Sequence, residues 1–361
     1  MTDTSRFWKE NWDQARANHI KWWNHQGLVL WITAPKDKPW EELSDPGPAT
    51  SLEQQWYDPA WRTKKISYQL SRIYFGAESF PQLSTWTGAG DLAAFLGSSV
   101  EMSSTTLWFN PCITDPDTHP PLKFERNNAV LRKVTALVDE AVRQSRGRYY
   151  VSPPDIVENI DILASLRGSE TLLCDMIERP EWVERKVAEI NRAFFEAFDL
   201  FFAKIKDAHG GNTFVFNIWG PGRTCKVQCD ASSMFSPAMY RRFVLRSLRE
   251  QCRWLDYSLY HLDGETTLQH LDILLNEIPE LRAIEWTPML CYIGEGGGHP
   301  KWYDLYRRIL KGGKSVQAVT VDYDQVIPLL DAVGGKGMYI STSAPTEDAA
   351  RKLEDRVNAY R

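Results

Sequence analysis

Short apolar runs rich in β-branched and aromatic residues alternate along this chain with longer stretches of helical period. Leu28 to Thr33 (LVLWIT) predicts a strand that stops at Ala34-Pro35, and Gln82 to Trp86 predicts a weaker one. Tyr149 to Ser152 runs into Pro153-Pro154-Asp155, and Thr213 to Trp219 (TFVFNIW) ends in Gly220-Pro221-Gly222. Four more follow at Tyr257 to His261, Leu281 to Trp286, Ser315 to Thr320 and Gly337 to Ile340. Each is four to seven residues long and bounded by Gly, Pro, Asp or Ser, the punctuation expected of strands.

The intervening segments carry apolar residues three and four apart, which predicts amphipathic helices. They include Ser169 to Ile190, interrupted at Pro180, and Arg192 to Ala208. Ser236-Pro237 opens another, with a capping hydroxyl followed by a proline preset for the first turn. Thr346 opens the last. Asp37 to Pro59 and Asn110 to Pro121, dense in Pro and Asp, predict irregular excursions. Gly294 to Gly298 (GEGGG) predicts a flexible loop, because no clear helix follows it.

Eight strands alternating with helices imply a parallel sheet, and eight units in 361 residues fit a single (β/α)8 TIM barrel of the α/β class. The expected organisation is one domain over 1–361, with an N-terminal helical extension over about 1–27. A doubly wound sheet would carry a glycine-rich phosphate turn after its first strand, and none is present.

Composition narrows the function. A net charge of −5 offers no basic excess for nucleic-acid phosphates. No apolar run approaches the roughly 18 residues of a membrane span, and the polar start MTDTSRFWKENWDQ lacks the order of a secretory signal, so a cytoplasmic location is expected. Six cysteines are too sparse for a disulfide scaffold; Cys225 and Cys229 alone lie close, without the second pair a zinc knuckle needs. Fifteen tryptophans, many before residue 62, supply large surfaces for packing or for stacking on a flat or sugar-like ligand.

In a barrel, chemistry gathers at the C-terminal ends of strands. Those ends carry Asp155, Trp219, His261, Asp263, Glu285, Trp286 and the Ser341-Thr342-Ser343 run. A buried parallel strand should be nearly all apolar, so a His or Glu within one requires a partner. His261 and Asp263 are two apart and share a face; Glu285 ends the following strand, about 5 Å away. The three form either a hydrogen-bonded cluster, a catalytic dyad, or a ligand set for zinc, manganese or a similar divalent ion. Asp155 and Asp230 are further candidate acids, and Trp219, Arg223, Trp286, Ser341 and Ser343 are candidate substrate contacts.

Three segments carry a family resemblance: SPPDIVENIDILASLRGSETLLCDMIERPEWV, FSPAMYRRFVLRSLREQ and YHLDGETTLQHLDILLNEIPELRAIEW. From Asp155 onward, and more weakly before it, the chain resembles the uroporphyrinogen decarboxylase superfamily, which includes corrinoid-dependent methyltransferases and is similar in fold to cobalamin-independent methionine synthase. The resemblance implies a (β/α)8 barrel, a frequent homodimer and chemistry on a small molecule. The zinc methyltransferases of that superfamily use a His-x-Cys pair and a later Cys. Here His261 is kept, Asp263 stands for the first Cys, and Ser341 to Ser343 contain none. Glu285 matches the zinc-binding Glu of the methionine synthase-like relatives. The decarboxylases hold propionates with early arginines and use an Asp on an early strand end. Here LVLWITAPK has no arginine, and Gly88 stands near the Asp position with Asp91 close by.

The resemblance therefore points to methyl transfer or demethylation on a small polar substrate at a His/Asp/Glu centre, with a corrinoid carried by a partner protein. The alternatives are a cofactor-free decarboxylase with Asp155 or Asp230 as proton donor, a metal-assisted lyase or hydrolase on a sugar-like substrate, and a binding protein that has lost its chemistry.

Overall fold

The computed structural model describes residues 7–289 and 294–361. Among these the strands are β1 (Val29–Pro35), β2 (Ile73–Ala77), β3 (Gln82–Leu83), β4 (Ser99–Met102), β5 (Leu107–Asn110), β6 (Tyr150–Val151), β7 (Asn212–Phe214), β8 (Ile218–Gly220), β9 (Thr224–Gln228), β10 (Tyr257–Asp263), β11 (Ala283–Thr287), β12 (Ser315–Ala318) and β13 (Met338–Ser343). Seven form one sheet in the order β2-β1-β13-β12-β11-β10-β9. Every neighbouring pair in it is parallel except β1–β2. Gly76 faces Ile32 there, and any side chain on it would strike Ile32 and the Glu354 carboxylate.

The helices obey their start signals. Ser236 Oγ accepts from the Met239 amide at 3.4 Å, and helix Pro237–Phe243 follows. Thr346 Oγ1 accepts from the Ala349 amide at 3.1 Å and opens helix Glu347–Val357. Pro180 does not interrupt a helix; it starts the 26-residue helix Pro180–Ile205, where its missing N–H is harmless. One continuous apolar core runs from Trp8 to Val357.

The architecture is α/β with a large parallel sheet, as the alternation implied, but the sheet does not close among the described residues. β3 and β6 form a separate parallel ladder. Prolines flank that pair at Pro81, Pro153 and Pro154, and proline has no N–H to extend a ladder. On the far side, the Gln228 amide donates to the Glu158 carboxylate at 2.6 Å rather than to a neighbouring strand. The predicted strand over Thr213 to Trp219 is a hairpin, β7 and β8, turning at Val215–Asn217. The GEGGG run is seated, not loose. The Gly297 amide donates to the Val319 carbonyl at 3.0 Å, and a Cβ on Gly296 would collide with the Thr320 carbonyl.

The early tryptophans pack. Trp22 and Trp23 on helix Trp12–Trp23 are fully buried. Their indole N–H groups donate to the Gly337 carbonyl at 3.1 Å and the Trp219 carbonyl at 2.8 Å, tying the helix to β13 and β8. Trp108 instead stands 61% exposed.

Sheet register sets up the site. Gln228, His261, Glu285, Gln317 and Tyr339 stand abreast on five adjacent strands, β9 to β13. Asp263 follows His261 on the same face and pairs in register with Thr287.

Candidate functional site

His261 and Glu285 meet as their register requires. His261 Nδ1 hydrogen-bonds Glu285 Oε2, and the Thr287 hydroxyl donates to Glu285 Oε1 at 2.6 Å. Glu285 is fully buried, so its charge is tolerable only because both oxygens are partnered. Burial pulls the His261 pKa down, but the charge and hydrogen bond of Glu285 and the charge of Asp230 outweigh it, and the net value is about 9. The other ring nitrogen, Nε2, lies 4.0 Å from Asp230 Oδ1.

Donor atoms of Asp230, His261 and Asp263 lie within 4.8 Å of one another. The trio differs from the expected set. Glu285 sits behind the imidazole and orients it, while Asp230 contributes the third donor. Asp230 is placed by its neighbours. Asp161 accepts the backbone amides of Asp230 and Ala231, each at 2.9 Å, and the Gln228 carboxamide donates to Asp230 Oδ2 at 2.7 Å. Asp230 Oδ1 is shielded from solvent and has no hydrogen-bond partner among the described residues. Burial and the nearby Asp161 raise the Asp230 pKa, partly opposed by His261, to about 7.

A second polar layer lies beneath. Lys226, two residues before Gln228 on β9, is fully buried. Its Nζ is 2.7 Å from Asp155 Oδ1 and also donates to Gln228. Burial lowers the Lys226 pKa, but Asp155 and Glu158 raise it more, so the ammonium persists. Burial holds Glu158 well above the usual carboxylate range, against the opposing pull of Lys226. Asp155 is thus a structural counter-ion here.

Asp91, fully buried at the start of helix Asp91–Phe95, accepts from the Thr87 hydroxyl at 2.5 Å through Oδ1, while Oδ2 has no partner. Burial, reinforced by Asp155, raises its pKa from 3.8 to about 7. The folded state therefore holds a proton that the unfolded state releases between pH 4 and 7, and stability falls as pH rises through that window. Asp91→Asn is expected to stabilise the protein by about 2 kcal/mol at pH 8, with the gain vanishing near pH 4. Denaturant unfolding at the two pH values checks this; equal effects at both would refute it.

Of the other expected contacts, Trp219, Arg223 and Trp286 lie away from the face that carries His261, while Ser341 and Ser343 are on it. Trp219 is fully buried among Trp12, His19 and Trp23, and its N–H donates to Asp207 at 2.8 Å. Arg223 sits before β9, at the end opposite Asp230, 3.4 Å from Asp199 and stacked on Trp254 at 4.6 Å. Trp286 points to the opposite face from Glu285 and packs on Trp302 at 4.8 Å. Ser341 and Ser343 share the face of Tyr339 on β13, and Ser341 pairs in register with Trp31. Cys225 is buried on the face of β9 opposite Lys226 and Gln228, and Cys229 is buried just past the strand's end; burial raises both thiols well above their usual range; Cys291 lies outside the described residues.

Sequence reasoning passed over Lys226, Glu158 and Asp161. The signals were present: Lys226 and Gln228 alternate with Cys225, Val227 and Cys229, and such alternation marks two faces of a strand. A cleft of about 570 Å³ opens beside Asp230, lined by Trp108, Phe109, Val157, Asp161, Gln228 and Met234 among others. Among the described residues no Lys, Arg or His lines it.

No protein-family model matches the chain, and no curated protein sequence matches it. Among solved structures, a methyltransferase from Methanosarcina mazei is similar with a TM-score of 0.59 and 10% identity, covering 96% of this chain and 99% of that one. At that identity the likeness shows a shared fold. No helix among the described residues is long and apolar enough to cross a membrane.

Proposed function

We propose that this chain is a methyl-transfer enzyme centred on Asp230, His261 and Asp263. The observation that carries the reading is the convergence of their donor atoms, with a shielded Asp230 oxygen left without a partner among the described residues and Asp230 itself lining a cleft. A fold shared along nearly the whole length with a methyltransferase supports it. We further infer that the main sheet and the β3–β6 ladder are arcs of one barrel, with the site at its C-terminal mouth.

One imidazole nitrogen and two carboxylates suit zinc or manganese, and the unpartnered oxygen is what such an ion would satisfy. Asp230, His261 and Asp263 would hold it, and it would supply Lewis-acid polarisation of the atom bearing the methyl group. Glu285 fixes the tautomer by holding Nδ1, which directs Nε2 at the centre. Thr287 fixes Glu285. Gln228 and Asp161 fix Asp230.

The charge balance selects the substrate. Asp161, Asp230, Asp263 and Glu285 stand round the centre, against the cations Lys226 and His261. A polycarboxylate is repelled by such a wall. The substrate is therefore a small neutral or cationic methyl donor, and the methyl acceptor is a corrinoid on a partner protein. The alternative decarboxylase loses Asp155 as its proton donor, because Lys226 engages that carboxylate, and is left with Asp230 alone.

The test is calorimetric titration with Zn²⁺ and Mn²⁺, followed by demethylation assays with free cob(I)alamin and a panel of neutral, cationic and anionic methyl donors. Stoichiometric uptake of one ion and turnover of a neutral or cationic donor are expected. Turnover confined to anionic donors would overturn the substrate class. Absence of methyl transfer across the panel with the loaded protein would overturn the reading.

A further inference from the structure

The β7–β8 turn does something that strands of a sheet do not. Phe216 and Asn217 both adopt left-handed backbone, with φ of 64° and 57°, a conformation that side chains other than glycine rarely take. Three strands hold the turn. Gln317 Nε2 on β12 donates to the Phe216 carbonyl at 2.8 Å, the Tyr339 hydroxyl on β13 donates to the Asn217 carbonyl at 2.8 Å, and Gln82 Nε2 on β3 donates to the Phe214 carbonyl at 3.4 Å. Gln317 and Tyr339 belong to the same row as His261. The Phe216 ring lies against the His261 ring, with centroids 4.7 Å apart and planes at 33°.

We propose that this turn is a plug forming the floor of the centre, and that Phe216 is a positioning residue that fixes the imidazole plane of His261. This goes beyond the methyl-transfer reading and does not depend on it. The bond from Nδ1 to Glu285 anchors one edge of the ring but leaves it free to swivel about that bond. A flat aromatic face removes the swivel, so that Nε2 is aimed at Asp230 and Asp263. The carbonyls of the turn give Gln317 and Tyr339, both buried, acceptors they would otherwise lack. The left-handed residues are retained because only that backbone carries the ring to His261 while turning both carbonyls to their donors.

The test uses full-length protein with ¹⁵N-labelled histidine, read by imidazole NMR without metal and by Zn²⁺ titration. Phe216→Ala and Phe216→Leu are expected to broaden or shift the His261 ring signals and to weaken Zn²⁺ about tenfold, the effect typical of losing a group that orients a ligand. Phe216→Tyr should restore both. Asn217→Gly keeps the plug's backbone and ring and should move neither. Phe216→Leu preserves apolar bulk, so it decides the matter if the alanine variant does not fold. A folded Phe216→Leu protein with wild-type His261 signals would overturn the proposal, as would an Asn217→Gly protein perturbed as much as Phe216→Ala. If the wild type takes up no zinc, the metal reading fails alone, and the imidazole spectrum still judges the plug.

Discussion

Replacing Lys226 with methionine is expected to destabilise the protein by about 3–5 kcal/mol at pH 8. The ammonium is fully buried, paired with Asp155 at 2.7 Å, and close enough to Glu158 to lower that carboxyl's pKa. Methionine fills a similar volume, so the loss is not a cavity effect. What remains is carboxylate charge without its counter-charge, and breaking a buried pair from one side is far more damaging than deleting both partners. The variant's carboxyls then take up protons in the folded state at pH values where the unfolded chain has released them. Its stability consequently rises as pH falls, and the gap to wild type narrows toward pH 5. Denaturant unfolding at pH 8 and pH 5 measures both quantities. The triple variant Lys226→Met, Asp155→Asn, Glu158→Gln is expected to recover most of the loss. A loss below 1 kcal/mol at pH 8 would show that the pair does not hold the β9 edge together.

The Lys226 layer also shows where sequence reading reaches and where it stops. The alternation of apolar runs with helical periods located seven of the parallel strands, and β10 beside β11 is the neighbourhood the spacing implied. Strand β9 escaped because TCKVQ carries Lys and Gln on one face and Cys225 and Val227 on the other. Its polar face looks like a loop until the partners Asp155 and Glu158 are known, and those sit about 70 residues away on a segment without regular structure. The core of the site was legible: an acid and a histidine in strands that should be apolar signal pairing, and His261 with Glu285 is such a pair. The role of Glu285 was not. Adjacent-strand spacing brings its carboxylate near, but the choice between ligand and orienting partner depends on which ring nitrogen it reaches. Asp230 became the third donor through Asp161 and Gln228, contacts no local pattern encodes. Trp219 and Arg223 misled because a strand end was read into a hairpin and into the start of β9.

Glu285→Gln separates the orienting role from the ligand role, through the pH dependence of metal binding. In the wild type His261 carries a proton up to about pH 9 because Glu285 stabilises the imidazolium. An ion at Nε2 must displace that proton. Wild-type Zn²⁺ affinity is therefore expected to climb about tenfold per pH unit between pH 7 and 9, and to level off above. Glutamine still accepts from Nδ1 through its oxygen but lacks the charge, so the histidine pKa drops toward its ordinary value near 6.5. Proton competition then ends near neutrality, and the variant's affinity flattens above about pH 7. At pH 9, where neither protein has a proton to displace, the variant should bind about 10–100-fold more weakly, which isolates the orienting contribution. At pH 7 the two effects oppose each other and the affinities draw close. His261→Ala removes the ligand itself and is expected to lower methyl-transfer turnover by about 10³-fold. That change also strands the buried Glu285, so His261→Gln combined with Glu285→Gln, a neutral hydrogen-bonding pair, provides a folded control with the same loss of turnover. A flat wild-type pH dependence would remove His261 from the ligand set, and full turnover in the neutral-pair variant would remove it from the reaction.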